Sequence, residues 1–164
     1  MQRRNFTKIT FALLFVTIFA LLRSLAKASA SANHLLQTMI KTIIKTDKAP
    51  APIGPYSQAV ISGNMLFVSG QIAIDPANGN LITVNIIQET SQVMKNLSAI
   101  LSEAGMQFSN IVKTSIFLKD MNDFPHVNEV YAQFFEKDFP ARETVAVAGL
   151  PKGVNVEISV IAMK

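Results

Sequence analysis

From Lys41 onward the spacing of apolar residues changes period repeatedly, and each change marks an element. Lys41 to Thr46 reads as a short strand. Asp47 to Pro55 holds three prolines and a glycine, an irregular stretch whose path the proline φ values restrict, and Tyr56 follows directly. Ala59-Val60-Ile61-Ser62 and Met65-Leu66-Phe67-Val68-Ser69 flank Gly63-Asn64, the pattern of a two-residue β-hairpin. Asp75 to Asn80 reads as a second turn. From about Val84 to Ala104 the period becomes helical: Ile86, Thr90, Val93, Leu97, Ile100 and Leu101 share one face, and Gly105 is placed to end the helix. Strand alternation returns over Ile111 to Leu118. Asn122-Asp123-Phe124-Pro125 opens a second helix with Val127, Val130, Tyr131, Phe134 and Phe135 as its buried stripe, and Pro140 closes it. Two β-branched runs end the chain, Thr144 to Ala148 and Val156 to Ala162, joined by a turn around Leu150-Pro151-Lys152-Gly153.

The order β-β-β-α-β-α-β-β predicts an α+β layer, with two helices packed on one face of a sheet. Val147, Ile158 and Ile161 are taken to represent the other face. That face would be too apolar to meet water and would pack on another subunit, so a homo-oligomer is expected.

Two charges stand out against this pattern. Arg142 opens the first of the two final strands, and Glu157 sits inside the Val- and Ile-rich second one, on what is read as its partner strand. A strand of that composition tolerates a central charge only where the charge has a partner or faces a cavity. One reading is a structural ion pair or a solvated sheet face. The other is a pocket for a small carboxylate, in which Arg142 holds the anion and Glu157 exchanges a proton.

Composition narrows the chemistry. The chain has no cysteine, which removes disulfides, thiol nucleophiles and thiolate metal sites. His34 and His126 are its only histidines and lack metal-ligand spacing, so neither a metal site nor a histidine triad is expected, and no cofactor is called for. The net charge of +4 is unevenly placed. Residues 1–38 hold Arg3, Arg4, Lys8, Arg23 and Lys27 with no acid, whereas residues 39–164 hold ten basic and eleven acidic residues, a net of −1. A body near neutrality lacks the footprint of a phosphate-backbone binder, so nucleic acid is not an expected partner.

Residues 1–38 read as a leader and 39–164 as one domain. Met1 to Lys8 is positive, Ile9 to Leu22 is apolar, and Ala28-x-Ala30 supplies the small residues of a cleavage site near 28–32, the layout of a secretory signal peptide. The apolar run is short for a spanning helix, which needs roughly 20 residues. Translation from Met1 would export the protein to a periplasm or the outside. A start at Met39 would leave it cytoplasmic.

Six motifs occur in a fixed order along the body: Ile53-Gly54-Pro55-Tyr56-Ser57-Gln58-Ala59, Val68-Ser69-Gly70-Gln71, Asn122-Asp123-Phe124, Phe139-Pro140-Ala141-Arg142, Leu150-Pro151-Lys152-Gly153 and Val156-Glu157-Ile158. In these the chain resembles the RidA/YjgF family of enamine/imine deaminases, from about Lys41 to Met163. The resemblance implies a chorismate-mutase-like α+β fold and a homotrimer with a cleft at each subunit interface. It implies hydrolysis of the 2-iminoacids derived from 2-aminoacrylate and 2-aminocrotonate to 2-ketoacids and ammonia, without metal or organic cofactor. By the same resemblance Arg142 grips the substrate carboxylate and Glu157 acts on water. Tyr56, Ser69 and Gly70 line the cleft, and the Thr144 backbone contacts ligand where many members carry Cys.

The residues agree with those roles. Arg142 offers a planar fork to a carboxylate, and an ionised glutamate can take a proton from water. Tyr56 follows a proline-stiffened loop, and Ser69-Gly70 offers a hydroxyl beside an unobstructed amide. Asn128 is read as structural and His126 as a surface residue. Other functions stay open at this level: a mutase-like dicarboxylate site, a non-catalytic carboxylate-binding or chaperone-like protein, or an RNA-directed translation inhibitor or ribonuclease.

Overall fold

The structure is a computed structural model, and it describes residues 18–31 and 41–164. Most of the apolar run from Ile9 to Leu22, and the alternative start at Met39, lie outside the described residues. The chain divides into two units, Met1–Ile40 and Lys41–Lys164. In the first, residues 18–31 form helix α1, with Phe19, Leu21, Leu22 and Leu25 exposed and the Arg23 guanidinium 4.7 Å from the Phe19 ring centre. Among the described residues no helix is long and apolar enough to cross a membrane.

The second unit is a six-stranded sheet carrying two helices. Its elements are β1 (Lys41–Ile44), β2 (Ala59–Ser62), β3 (Met65–Gln71), α2 (Ile86–Glu103), β4 (Ile111–Leu118), α3 (Phe124–Ala132), β5 (Ala141–Ala146) and β6 (Val156–Met163). This is the expected order. Gly63 turns the β2–β3 hairpin at φ 62°, the positive value that a two-residue turn with glycine first demands. Helix α2 starts on the Asn85 side chain, which accepts from Gln88 N at 2.9 Å. It ends at Gly105 (φ 66°), where Met106 N bonds to Leu101 O and Gly105 N to Ser102 O, so the last carbonyls are satisfied. Helix α3 is shorter than the predicted stripe. Val127, Val130 and Tyr131 are buried on it, but Phe134 and Phe135 lie past its end, where their rings pack 5.2 and 5.5 Å from Phe108.

The sheet order is β1-β2-β3-β6-β4-β5, antiparallel except for the parallel β4–β5 pair. The expectation that β5 and β6 are partner strands is therefore corrected: β4 lies between them. The reason is burial. In β6, Val156, Ile158, Val160 and Ala162 are all buried, which suits a central strand covered by helices. β5 is largely exposed and takes the edge, reached from β4 through the α3 crossover.

Ile158 is likewise reassigned. It is 0 % exposed and faces the helices within the core of Leu66, Leu97, Ile100 and Ile116, while Val147 lies just past β5. Ile161 does belong to the open face, in a register row Ile43–Val60–Phe67–Ile161 across four strands. Phe67 and Val145 are both 43 % exposed there. The open face is thus apolar as expected over β1, β2 and β3, with Ile161 among the residues that make it so, but toward β4 and β5 it carries Ser159, Ser115 and the Lys113–Glu143 ion pair.

Candidate active site

Glu157 is a charge on the interior strand β6, set among buried apolar residues. Its neighbours Val156 and Ile158 point into the core, so alternation sends its side chain to the open face, opposite Phe117 of β4. There it lies over β3 at Gly70. A Cβ built on Gly70 would overlap Glu157 Oε1, so any larger residue there would push the carboxyl out of this position. The β3–β6 register breaks between Val68 and Gln71, opening the ladder at this spot. Burial pushes the Glu157 carboxyl above its ordinary value of 4.5.

Tyr56, Ser69 and Gly70 join Glu157 around a cavity of about 270 Å³, whose remaining wall includes Ile53, Ile72 and Pro151. The proline-rich loop is held in place by Gln58, a buried side chain that the sequence pattern left unassigned. Its Oε1 accepts from Thr46 N at 2.8 Å, and its Nε2 donates to the carbonyls of Thr46, Ala49 and Pro50. The Ser69 hydroxyl donates to Ser57 O at 2.7 Å, which ties β3 to the same loop. Tyr56 OH accepts from Ile53 N at 3.1 Å, so the phenol is anchored at the cavity rim with its own proton free to donate.

Arg142 is not in this cavity. Its register partner Thr114 is fully buried under α3, and Arg142 leaves β5 on that helix-covered side. Its Nη1 donates to Asn128 Oδ1 at 2.8 Å, and its guanidinium carbon lies 5.0 Å from the Tyr131 ring centre and 5.7 Å from that of Phe124. With Tyr131, Phe139 and Pro140 it lines a separate cleft of about 350 Å³. Burial pushes the Tyr131 phenol up, opposed by its hydrogen bond with Thr114 and by the Arg142 charge. Thr144, two residues along β5 on the Arg142 side, has a buried hydroxyl oxygen without a hydrogen-bond partner. The candidate residues thus fall into two clusters, on opposite faces of the sheet.

His126 is exposed, as expected. Asn128, read as structural, is the hydrogen-bond partner of Arg142. No periodicity marks it, since an exposed helical asparagine shows no pattern until β5 is placed beside it.

The sequence matches the family model described as Endoribonuclease L-PSP over residues 46–164. Human 2-iminobutanoate/2-iminopropanoate deaminase is 48 % identical over 119 residues, 73 % of this chain and 87 % of that protein. A solved structure of a conserved Rid-family protein from Yersinia pestis aligns at TM-score 0.75 and 48 % identity, covering 76 % of this chain and all of that one. The structure of Escherichia coli TdcF with bound serine aligns at TM-score 0.72 and 41 % identity, covering 75 % and 98 %. A match across the whole sheet-and-helix unit, with relatives near half identical, places this chain in the Endoribonuclease L-PSP family, that of the RidA/YjgF proteins.

Proposed function

We propose that this protein hydrolyses small 2-iminoacids, and the enamines that tautomerise to them, to 2-ketoacids and ammonia, without a cofactor. The observation that carries the reading is Glu157: a half-buried carboxyl with a raised pKa, seated on Gly70 in a cavity rimmed by the hydroxyl groups of Tyr56 and Ser69. A general base works best when its pKa approaches the working pH. The names of the relatives support the same reaction class, and bound serine in TdcF supports a site for a small α-substituted carboxylate.

In this reading the substrate carboxylate lies in the fork of Arg142, whose charge and planarity orient the adjacent C=N carbon. The Thr144 amide and its unpartnered hydroxyl adjoin that end of the ligand. Glu157 takes a proton from water as the oxygen bonds to the imine carbon. The C=N π pair moves to nitrogen, which takes that proton from Glu157 and gives the carbinolamine. Glu157 then passes the carbinolamine hydroxyl proton to the amino group, and collapse forms the ketone, breaks the C–N bond and releases ammonia. Tyr56 and Ser69 hold the water or the developing hydroxyl.

Arg142 and Glu157 on opposite faces of one sheet cannot meet around one small molecule. The reading therefore includes a homotrimer, in which the Arg142 half-site of one subunit closes over the Glu157 half-site of the next. The exposed apolar row through Phe67 supports such an assembly.

The test couples the protein to a threonine dehydratase and follows 2-ketobutyrate release from the imine. Arg142→Ala is expected to lose 30-fold or more in kcat/KM, from a charge-paired contact of roughly 2–5 kcal/mol. Arg142→Lys keeps the charge but not the fork and is expected to raise KM. Glu157→Gln should lower kcat while 2-ketobutyrate still binds. Full activity in Arg142→Ala or in Glu157→Gln would refute the corresponding role.

A further inference from the structure

Asn128 meets Arg142 in a way that a merely structural residue need not. Phe124, Asn128 and Tyr131 stand at i, i+4 and i+7 along α3, one stripe of the helix, and all three approach the Arg142 guanidinium. The two rings lie within cation–π range of it, and Tyr131 is itself locked by a 3.1 Å bond between its hydroxyl and that of Thr114. Asn128 takes one Nη1 proton at 2.8 Å. A guanidinium has five N–H donors. One is taken by Asn128, the rings occupy no donor, and the remainder can form a two-bond fork to an incoming carboxylate.

The chemistry of the acceptor matters as much as its position. An amide oxygen orients the guanidinium and leaves its full positive charge to the ligand. A carboxylate at the same place would fork onto the guanidinium, neutralise it and compete with an anionic substrate. We propose that Asn128 is the positioning residue for Arg142, a deliberately neutral acceptor that aims the guanidinium without quenching it, and so sets the affinity for anionic substrates. The inference rests on the reading of Arg142 as the carboxylate clamp.

The experiment compares Asn128→Asp and Asn128→Ala with wild type and with Arg142→Ala, in the imine assay and in calorimetric binding of 2-ketobutyrate. Asn128 is exposed, so both variants are expected to melt as wild type does. If one does not fold, the other still decides. Asn128→Asp should raise KM and the Kd for 2-ketobutyrate about tenfold, with kcat changed little. Asn128→Ala should raise both about threefold, because the charge survives but its aim is lost. Affinity for the neutral 2-oxobutanamide should not respond to Asn128→Asp. Unchanged 2-ketobutyrate binding in both Asn128 variants, with binding lost in Arg142→Ala, would overturn this inference and leave the clamp intact. Unchanged binding in Arg142→Ala would overturn the clamp itself, and this inference with it.

Discussion

The burial that raises the Glu157 carboxyl ties its proton to the stability of the fold. Folding withdraws its carboxyl from water, and desolvation raises its pKa above 4.5. The folded chain therefore holds a proton that the unfolded chain has released when pH lies between the ordinary and the raised value. Stability falls as pH rises through that window and stays lowered above it. Glu157→Gln should then melt higher than wild type near neutrality and equal to it below the ordinary carboxylate range, as read by calorimetry at several pH values. Activity should run the opposite way. The acid limb of kcat in wild type should lie above 4.5, and the residual rate of Glu157→Gln should lack that limb. A melting temperature lowered by Glu157→Gln at neutral pH would make the carboxyl a stabilising contact instead. At this scale the sequence was informative where a charge broke an apolar run, which is why Arg142 and Glu157 both stood out. It was silent where a polar residue serves another residue across the fold. Gln58 and Asn128 act through partners that no spacing predicts.

Element placement shows the same division. Helix and strand periods located the eight main elements of the unit from Lys41 onward, and turn chemistry located the hairpin, because those signals are local. Strand order is not local, and reading β5 and β6 as neighbours followed from their adjacency in sequence. Burial decides between them, and so does one buried carboxylate that the periodic reading of α2 passed over. Glu89 lies on the apolar stripe of α2 and is fully buried. It accepts from Asn155 N at 2.7 Å, from Asn155 Nδ2 at 2.9 Å and from Val156 N at 3.4 Å, at the entry to β6. A helix thereby secures the start of the central strand that carries Glu157 two residues on. Asn96, on the same helix, donates to Ile72 O and Ile74 O and fixes the chain beyond β3. Glu89→Ala leaves these donors at the entry to β6 without their acceptor and should cost about 2–4 kcal/mol in urea denaturation. Glu89→Gln keeps an acceptor for Asn155 N and should cost less. A loss below about 1 kcal/mol in Glu89→Ala would show that β6 holds its start without the helix.

At the scale of the whole molecule, the two half-sites lead to a test that does not depend on the identity of the best substrate. If each site joins Arg142 of one subunit to Glu157 of another, two inactive variants can complement each other. Arg142→Ala chains supply intact Glu157, and Glu157→Gln chains supply intact Arg142. Unfolded together in equal amounts and refolded, they form mixed oligomers in which a site is complete when an intact Arg142 meets an intact Glu157. With random assembly that holds for about one site in four, so about a quarter of wild-type activity should return, from parents that are each nearly dead. Light scattering on the mixture should report a trimer throughout. If instead both residues served one site within a subunit, every chain in the mixture would carry a defect and no activity would return. Complementation therefore separates a shared site from a private one. A shared site also accounts for the apolar row Ile43–Val60–Phe67–Ile161 left uncovered on the same face of the sheet as Glu157. Burying that row against a neighbour would cover the face of the sheet on which Glu157 lies.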